Sequence, residues 1–328
     1  MTSNATPPEA RHKPLVSLAI PVLNEQDNLD ALYARLDALG KKMADRCDLE
    51  FVFSDNHSSD ATWAKLVELA RLDPRVRAIR FSKNFGFQRS ILANYMHARG
   101  DAVMQIDADL QDPPELLQEF FKLWRAGYHV VYGVRRKRQE SALLNGFRRL
   151  GYWSIDLISD HSIPRDAGDF RLIDRRVVQA LLQIKTANPY LRGMIASLGF
   201  NQIGVDYERD ARVAGQSKFG ISRLLQLGFT AVFNHSAVPL RLASMAGVTM
   251  LLVSILGALY YLVLRLLHPD LPRGLASIHI LVLFGIGLQS LLLGIVGEYL
   301  LRIYLILRGE PVAIVENSLN FEKNDLKL

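Results

Sequence analysis

The sequence predicts an α/β fold: a mostly parallel sheet with helices on both faces, followed by interfacial amphipathic helices and a two-helix transmembrane hairpin. Three observations predict it. From residue 15 to residue 135, short apolar runs alternate with amphipathic segments, the pattern of strands joined by crossover helices. Polar and charged residues gather where those strands end. Two long uncharged runs follow towards the C-terminus.

The elements follow in order. Residues 1–14 are polar and Pro-rich, with no recognisable signal peptide, and read as a disordered lead-in. "LVSLAIPV", 15–22, reads as a buried strand. Leu29, Leu32, Leu36 and Leu39 then recur at helical spacing. "LEFVFSD", 49–55, is a second strand, followed by a helix capped near Ser59 or Asp60. "VRAIRFS", 76–82, is a third strand and "QRSILANYMHA" a third helix. "DAVMQIDAD", 101–109, is a fourth strand. "PPELLQEFFKLWRAG" begins with proline, which suits a first helical turn. "HVVYGVR" is a fifth strand.

Hydrophobic content of 49% allows a sizeable core, and the net charge of +6 fits an anionic partner: nucleic acid, a phosphorylated substrate or acidic lipid. The lone Cys47 excludes an internal disulfide and points to a reducing compartment. No glycine-rich phosphate loop follows the first strand, which argues against a dinucleotide-dependent dehydrogenase or a P-loop NTPase.

The uncharged runs lie at 242–264 and 275–297. Each exceeds the roughly 20 residues that cross a bilayer core. The division expected is a soluble domain at 15–218, interfacial helices at 219–238, transmembrane helices at 239–267 and 275–307, and a tail at 308–328. The stretch at 219–236 carries Phe219, Ile221, Leu224, Leu225, Leu227 and Phe229 beside Arg223 and Gln226. It suits either the membrane interface or a core helix. Two crossings put the soluble domain and the tail on one side. Flanking arginines stand at both ends of the hairpin, so charge alone barely decides orientation; the lone cysteine favours the cytoplasm. The tail's "VAIV" run could add a strand or contact a neighbour.

The ends of the predicted strands carry Pro21, Asn24 and Glu25; Asp55, Asn56 and Ser58; Ser82, Lys83 and Asn84; Asp107 and Asp109; and Arg135. Ligands of such sheets bind at the carboxyl ends of strands. In extended backbone Asp107 and Asp109 share a face, where their mutual repulsion calls for a proton or a cation. Mg2+ commonly takes one or two carboxylates together with substrate phosphate oxygens. The alternative is a solvated acidic turn with Asp112 as a helix cap.

"IPVLNE", "SDNHSSD", "SKNFGFQRSILANY", "DADLQDPPE" and "GDFRLIDRR", in this order, resemble family 2 glycosyltransferases, and within them the polyisoprenyl-phosphate glycosyltransferases, including the bacterial undecaprenyl-phosphate glucosyltransferases and dolichol-phosphate mannose synthase. The resemblance covers nearly the whole chain. It implies a GT-A fold and inverting transfer of one sugar from a nucleotide sugar to a polyprenyl phosphate, with UDP-glucose and undecaprenyl phosphate the best reading. Other donors (a UDP-hexosamine, aminoarabinose, GDP-mannose) and an inactive membrane scaffold remain alternatives. By this resemblance Pro21, Leu23, Glu25, Phe53 and Asp55 line the nucleotide, with Ala108 between the two aspartates. Asp107, Asp109 and Gln111 hold Mg2+ or Mn2+. Arg135 meets phosphate, and Arg212, Gln216, Ser217 and Lys218 in "RVAGQSKF" close over the diphosphate. Asp169 is the candidate catalytic carboxylate, beside Asp109; because a phosphate nucleophile is largely dianionic at neutral pH and hardly needs a strong base, it is read mainly as a positioning or electrostatic residue, and its other reading is an ion-paired aspartate beside Arg171 or Arg175. Arg135, Arg138, Arg148 and Arg149 are candidates for the acceptor phosphate. The resemblance also implies a bacterial inner-membrane, multi-pass enzyme with a cytoplasmic catalytic domain. A homo-oligomer, a tetramer, goes with it. Nucleic acid is not expected as a partner, because the basic residues lie among the phosphate-site and membrane-flanking motifs. His57 stands where the family commonly has glycine and Phe87 where histidine is common, so the turn at 57 is open.

Overall fold

The computed structural model describes residues 13–135, 167–184, 186, 189–208, scattered residues from 243 to 267, and 275–322. The chain divides into two compact units. The first is Met1–Tyr152 with His161–Phe219 and Pro311–Leu328, and the second is Trp153–Asp160 with Gly220–Glu310.

The first unit is built on β1 (Leu15–Val22), α1 (Leu29–Met43), β2 (Asp48–Asp55), α2 (Thr62–Leu72), β3 (Val76–Phe81), α3 (Phe87–His97) and β4 (Ala102–Gln105). A 3-10 turn (Pro114–Leu116) leads into α4 (Leu117–Arg125) and β5 (Val130–Arg135). Then come β6 (Ala167–Asp174), α5 (Arg175–Leu182), α6 (Leu191–Ser197) and β7 (Gln202–Tyr207). After α7 (Leu275–Leu307), which belongs to the second unit, β8 (Val315–Leu319) returns to the first. The strands form one eight-stranded sheet in the order β7-β5-β6-β4-β1-β2-β3-β8.

The sheet is mixed: six of its eight strands run the same way, and β6 and β8 run against them. β1 pairs in parallel with β2 and β4, as β2 does with β3 and β5 with β7. β6 is inserted antiparallel between β4 and β5, and β8 runs antiparallel along β3. The "GDFRLID" stretch therefore enters the sheet in reverse, which local periodicity does not announce. An antiparallel strand brings its own first residues to the rim where its parallel neighbours end.

Strand alternation explains the two cores. Val16, Leu18 and Ile20 of β1 face one side, against Leu32 and Leu36 of α1, Leu66 of α2 and Phe120 of α4. Ala19 faces the other, with Ile91 and Tyr95 of α3, Val177 and Leu181 of α5, and Met194 of α6. Helices thus cover both faces. Beyond Phe81, a smaller cluster with Ala313 and partly buried Phe321 seats the tail.

In the second unit α7 is 33 residues long and carries an apolar stretch, Phe284–Leu307, of 24 residues with mean hydropathy 1.8. Among the described residues this is the one helix long and apolar enough to cross a bilayer. The described residues of 243–267 are helical. Residues 1–12 of the expected lead-in and the interfacial segment at 219–238 lie outside the described residues.

Candidate active site

The carboxyl ends of the central strands are stitched together loop to loop. After β1 the chain turns at Asn24, whose φ of 57° is left-handed. Its N–H donates to Ser58 Oγ at 2.9 Å, and its Oδ1 accepts from the Ser59 N–H at 2.8 Å. The Glu25 N–H donates to Thr62 Oγ1, and the Ala61 N–H to Gln26 Oε1, each at 2.9 Å. Asp60 Oδ1 accepts from the Thr62 N–H at 3.0 Å, the cap expected for α2. The third rim loop joins through Asn56, whose Nδ2 donates to Asn84 Oδ1 at 2.8 Å and whose Oδ1 accepts from the Phe85 N–H at 2.8 Å.

His57 resolves the turn the sequence left open. Its φ is 64°, the conformation glycine favours, and its Nδ1 lies 2.9 Å from the Phe81 carbonyl. Asp55 is fully buried at the end of β2. Its Oδ1 accepts from the Ser58 N–H, while Oδ2 has no hydrogen-bond donor among the described residues and lies 3.7 Å from Arg80 Nε. A buried carboxylate oxygen without a donor suits a ligand N–H.

The carboxylate pair is placed differently from the sequence expectation. β4 ends at Gln105, and Ala108 and Asp109 form a turn in which Leu110 takes a φ of 60°. Side-chain hydrogen bonds hold this turn: Gln105 Nε2 donates to Asp107 Oδ1 at 2.9 Å, and the Gln111 N–H to Asp109 Oδ1 at 3.2 Å. The two carboxylates therefore do not share a face by strand alternation. Asp109 and Ala108 are buried, and Asp107 is half-buried. Among the described residues no group of three or more His, Cys, Asp or Glu side chains could hold a metal ion. An oxygen-only set of two carboxylates fits Mg2+ or Mn2+ whose shell substrate oxygens complete.

Asp169 reaches the same rim because β6 runs in reverse. Arg171 pairs with Gln105, the last residue of β4, so Asp169, two residues nearer the start of β6, lies at the rim where β4 ends. Asp169 Oδ1 accepts from Arg192 Nε at 3.1 Å, and Oδ2 from Gln88 Nε2 at 3.2 Å. The ion pair is with Arg192, not with Arg171 or Arg175. Arg171 instead donates to the Gly168 carbonyl at 2.7 Å, and Arg175 to the Gly100 carbonyl at 2.8 Å.

Arg135 lies at the end of β5, flat against Gly168. A Cβ there would come within 2.9 Å of Arg135 Nη2, so a side chain at 168 would push the guanidinium out of this position. Arg135 Nε donates to Tyr207 Oη at 3.2 Å, and Tyr207 in turn donates to Asp112 Oδ1 at 2.5 Å. Burial works against the Arg135 charge, but Tyr207, Asp112 and Asp107 outweigh it and raise its pKa. Burial, with Asp112 beside it, likewise raises that of the Tyr207 hydroxyl.

Of the nucleotide-lining candidates, Pro21 is buried at the end of β1, Leu23 is exposed at 38%, and Glu25 accepts from Asn28 Nδ2 at 2.6 Å. Phe53 has no exposed surface and packs in the core, so its ring supports the rim from beneath. Arg138, Arg148, Arg149, Arg212, Gln216, Ser217 and Lys218 lie outside the described residues. Sequence reasoning missed Gln88, Arg192 and Tyr207. Gln88 stood inside a quoted motif without a role; Arg192 and Tyr207 stand in apolar surroundings, "YLRGMI" and "IGVDY", with no spacing signal.

Comparison with known proteins follows from this geometry. The family described as Glycosyl transferase family 2 matches residues 17–182. An uncharacterized glycosyltransferase of Bacillus subtilis, YkcC, is 38% identical over 311 residues, covering 94% of this chain and 96% of the relative. The SfII prophage-derived bactoprenol glucosyl transferase of Shigella flexneri is 32% identical over 306 residues, covering 92% of this chain and 98% of the relative. Among solved structures, a mannosyltransferase from Pyrobaculum calidifontis in complex with GDP-Man and Mn2+ gives a TM-score of 0.43 at 18% identity, over 63% of this chain and 59% of that one. That likeness is too slight to carry an assignment. The sequence matches carry it: the chain belongs to glycosyl transferase family 2 and is a glycosyltransferase.

Proposed function

We propose that this glycosyltransferase moves a single sugar, with inversion, from a nucleotide sugar to a membrane polyprenyl phosphate, and that the best reading of the pair is UDP-glucose and undecaprenyl phosphate. The observation that carries it is the convergence of Asp55, Asp107, Asp109, Arg135 and Asp169 on one rim, from four strands of the sheet, β2, β4, β5 and β6. Relatives named bactoprenol glucosyl transferases, aligned over 92% of the chain, support the acceptor and the sugar. The mixed sheet with helices on both faces accords with a GT-A fold.

Pro21, Leu23, Glu25 and Asp55 flank the base and ribose, and Asp55 Oδ2 accepts from the base. Asp107, Asp109 and Gln111 would hold a divalent cation, Mg2+ or Mn2+, which would supply positive charge against the departing diphosphate. Arg135, with Arg212, Gln216, Ser217 and Lys218 of the "RVAGQSKF" loop, binds the diphosphate. Arg138, Arg148 and Arg149 draw in anionic lipid. In the step itself a phosphate oxygen of the acceptor gives an electron pair to the anomeric carbon. The bond from that carbon to the diphosphate oxygen breaks with its own pair. A phosphate monoester is largely dianionic at neutral pH, so no proton need move.

The acceptor places the chain in a membrane. α7, at about 1.5 Å per residue, spans about 50 Å, more than a bilayer core. The second crossing rests on the uncharged run at 242–264, and with it the catalytic unit faces the cytoplasm of a bacterial inner membrane. A tetramer belongs to the same proposal.

Mass spectrometry of the lipid product formed from a mixture of nucleotide sugars and undecaprenyl phosphate tests the reading. One hexose per polyprenyl phosphate is expected. A hexosamine, aminoarabinose or mannose product would change the donor, and no product from any donor would leave an inactive scaffold.

A further inference from the structure

We infer that Arg192 receives the phosphate of the acceptor, held in place by Asp169 and Gln88, which act as positioning residues rather than as a base. This rests on the glycosyl-transfer reading above. Arg192 Nε and Nη2 meet Asp169 Oδ1 and Oδ2 at 3.1 and 3.4 Å, a two-point contact that fixes the plane of the guanidinium. Gln88 Nε2 donates to Asp169 Oδ2 at 3.2 Å, and Gln88 Oε1 accepts from the Leu191 N–H at 3.0 Å. One amide thus ties α3 to β6 and to the start of α6, next to the arginine.

Exposure separates the roles within this cluster. The Asp169 side chain is 10% exposed and the Arg192 side chain 38%. An incoming ligand meets the cation first. A general base needs a lone pair turned to the substrate, whereas three of the roughly four acceptor sites of Asp169 already take hydrogen bonds from Arg192 and Gln88. A dianionic phosphate requires no base. It requires positive charge, and the planar fork of arginine suits it.

Strand alternation separates this cation from the other exposed arginine at the rim. Gly168 and Asp169 are neighbours on β6, so their side-chain directions point to opposite faces of the sheet. Arg135 covers the Gly168 face, with Asp112 and Tyr207. Arg192, in the first turn of α6, covers the Asp169 face. Arg135 pairs with Asp112 at 3.7 Å, three residues after Asp109 in the chain, so the donor diphosphate belongs on that side and the acceptor phosphate on the other. Arg171, 5% exposed and bonded to the Gly168 carbonyl, is too deep to meet a ligand.

The test is steady-state kinetics on the full chain in lipid nanodiscs, with nucleotide affinity measured by calorimetry. R192Q is expected to raise the acceptor KM at least tenfold while donor KM and nucleotide affinity stay within twofold. R192K should recover most of the loss, and Q88A should shift the acceptor KM in the same direction by less. Parallel arms use a short soluble prenyl monophosphate and the full-length polyprenyl monophosphate. A shift in both arms supports recognition of the phosphate, and one confined to the long chain overturns it. An unchanged acceptor KM, or an equal rise in donor KM, also overturns it while leaving the proposed function standing. A wild-type chain that transfers no sugar overturns both. If R192Q does not fold, R192K and Q88A carry the same comparison.

Discussion

Asp109 shows how little of a site one residue type conveys. "DAD" in a sequence is compatible with a solvated turn; in the structure Asp109 is 8% exposed with one oxygen on the Gln111 N–H. Burying the charge of a carboxylate is costly, and a bound divalent ion would offset that cost. Asp109→Ala is therefore expected to lower sugar transfer by at least about a hundredfold with little change in thermal stability. Transfer that continues undiminished, and that chelators still suppress, would remove Asp109 from the metal site. His57, Asn24 and Leu110 tell a related story: three rim residues hold left-handed φ values without being glycine. Such backbones cost about 1–3 kcal/mol each, persist only where their surroundings enforce them, and cluster at functional sites.

At the scale of elements, the tail is the least expected component. β8 lies along β3, and Asn320 Nδ2 donates to the Ala70 and Val76 carbonyls at 2.8 Å each. The Phe321 ring lies 4.0 Å from the Arg77 guanidinium carbon and packs on His97. Arg77 is fully buried and reaches Glu50 at 3.0 Å. The strand foreseen at "VAIV" thus falls slightly later, with Ala313 buried and the pairing at Val315–Leu319. Removal of residues 311–328 is expected to strip β3 of its edge partner. It should show as rapid amide exchange in β3 and a lowered Tm; a truncated chain that melts like the intact one would contradict this. The Arg77–Glu50 pair also makes a pH prediction. Burial opposes the Glu50 charge, but the Ser17 hydroxyl, the Arg99 N–H and Arg77 outweigh it and lower its pKa. A carboxylate lowered on folding contributes stability above its unfolded pKa, about 4.3, and loses it as pH falls through the lower folded value. Glu50→Gln should destabilise the unit at neutral pH by about 3–5 kcal/mol and flatten its acid melting profile. An equally steep acid loss in the variant would show that Glu50 is not its source.

At the scale of the whole molecule, the sheet carries the chemistry and α7 points to a lipid environment. The membrane reading predicts that the chain sediments with membranes, resists high salt and alkaline carbonate, and is released by detergent. Release by salt alone would show a peripheral attachment and remove the crossing. The first half of the chain reads clearly because its elements are local: β1, β2, β3, α1 and α3 fall within a residue or so of where periodicity puts them. β6 and β8 do not, because their hydrogen bonds run to strands distant in the chain, β6 to β4 and β5 and β8 to β3.

The sequence by itself determined the alternation of strands and helices, the polar rim at the strand ends, the family and the apolar C-terminal segments. Periodicity and composition are local properties, and each residue carries them in its own neighbourhood. The tertiary structure alone decided that β6 runs backwards and so delivers Asp169 to the rim, and that Arg192 rather than Arg171 or Arg175 pairs with it. It alone decided that Gly168 makes room for Arg135 and that the tail closes the sheet at β3. Those outcomes depend on which strands become neighbours, which no window of the sequence contains.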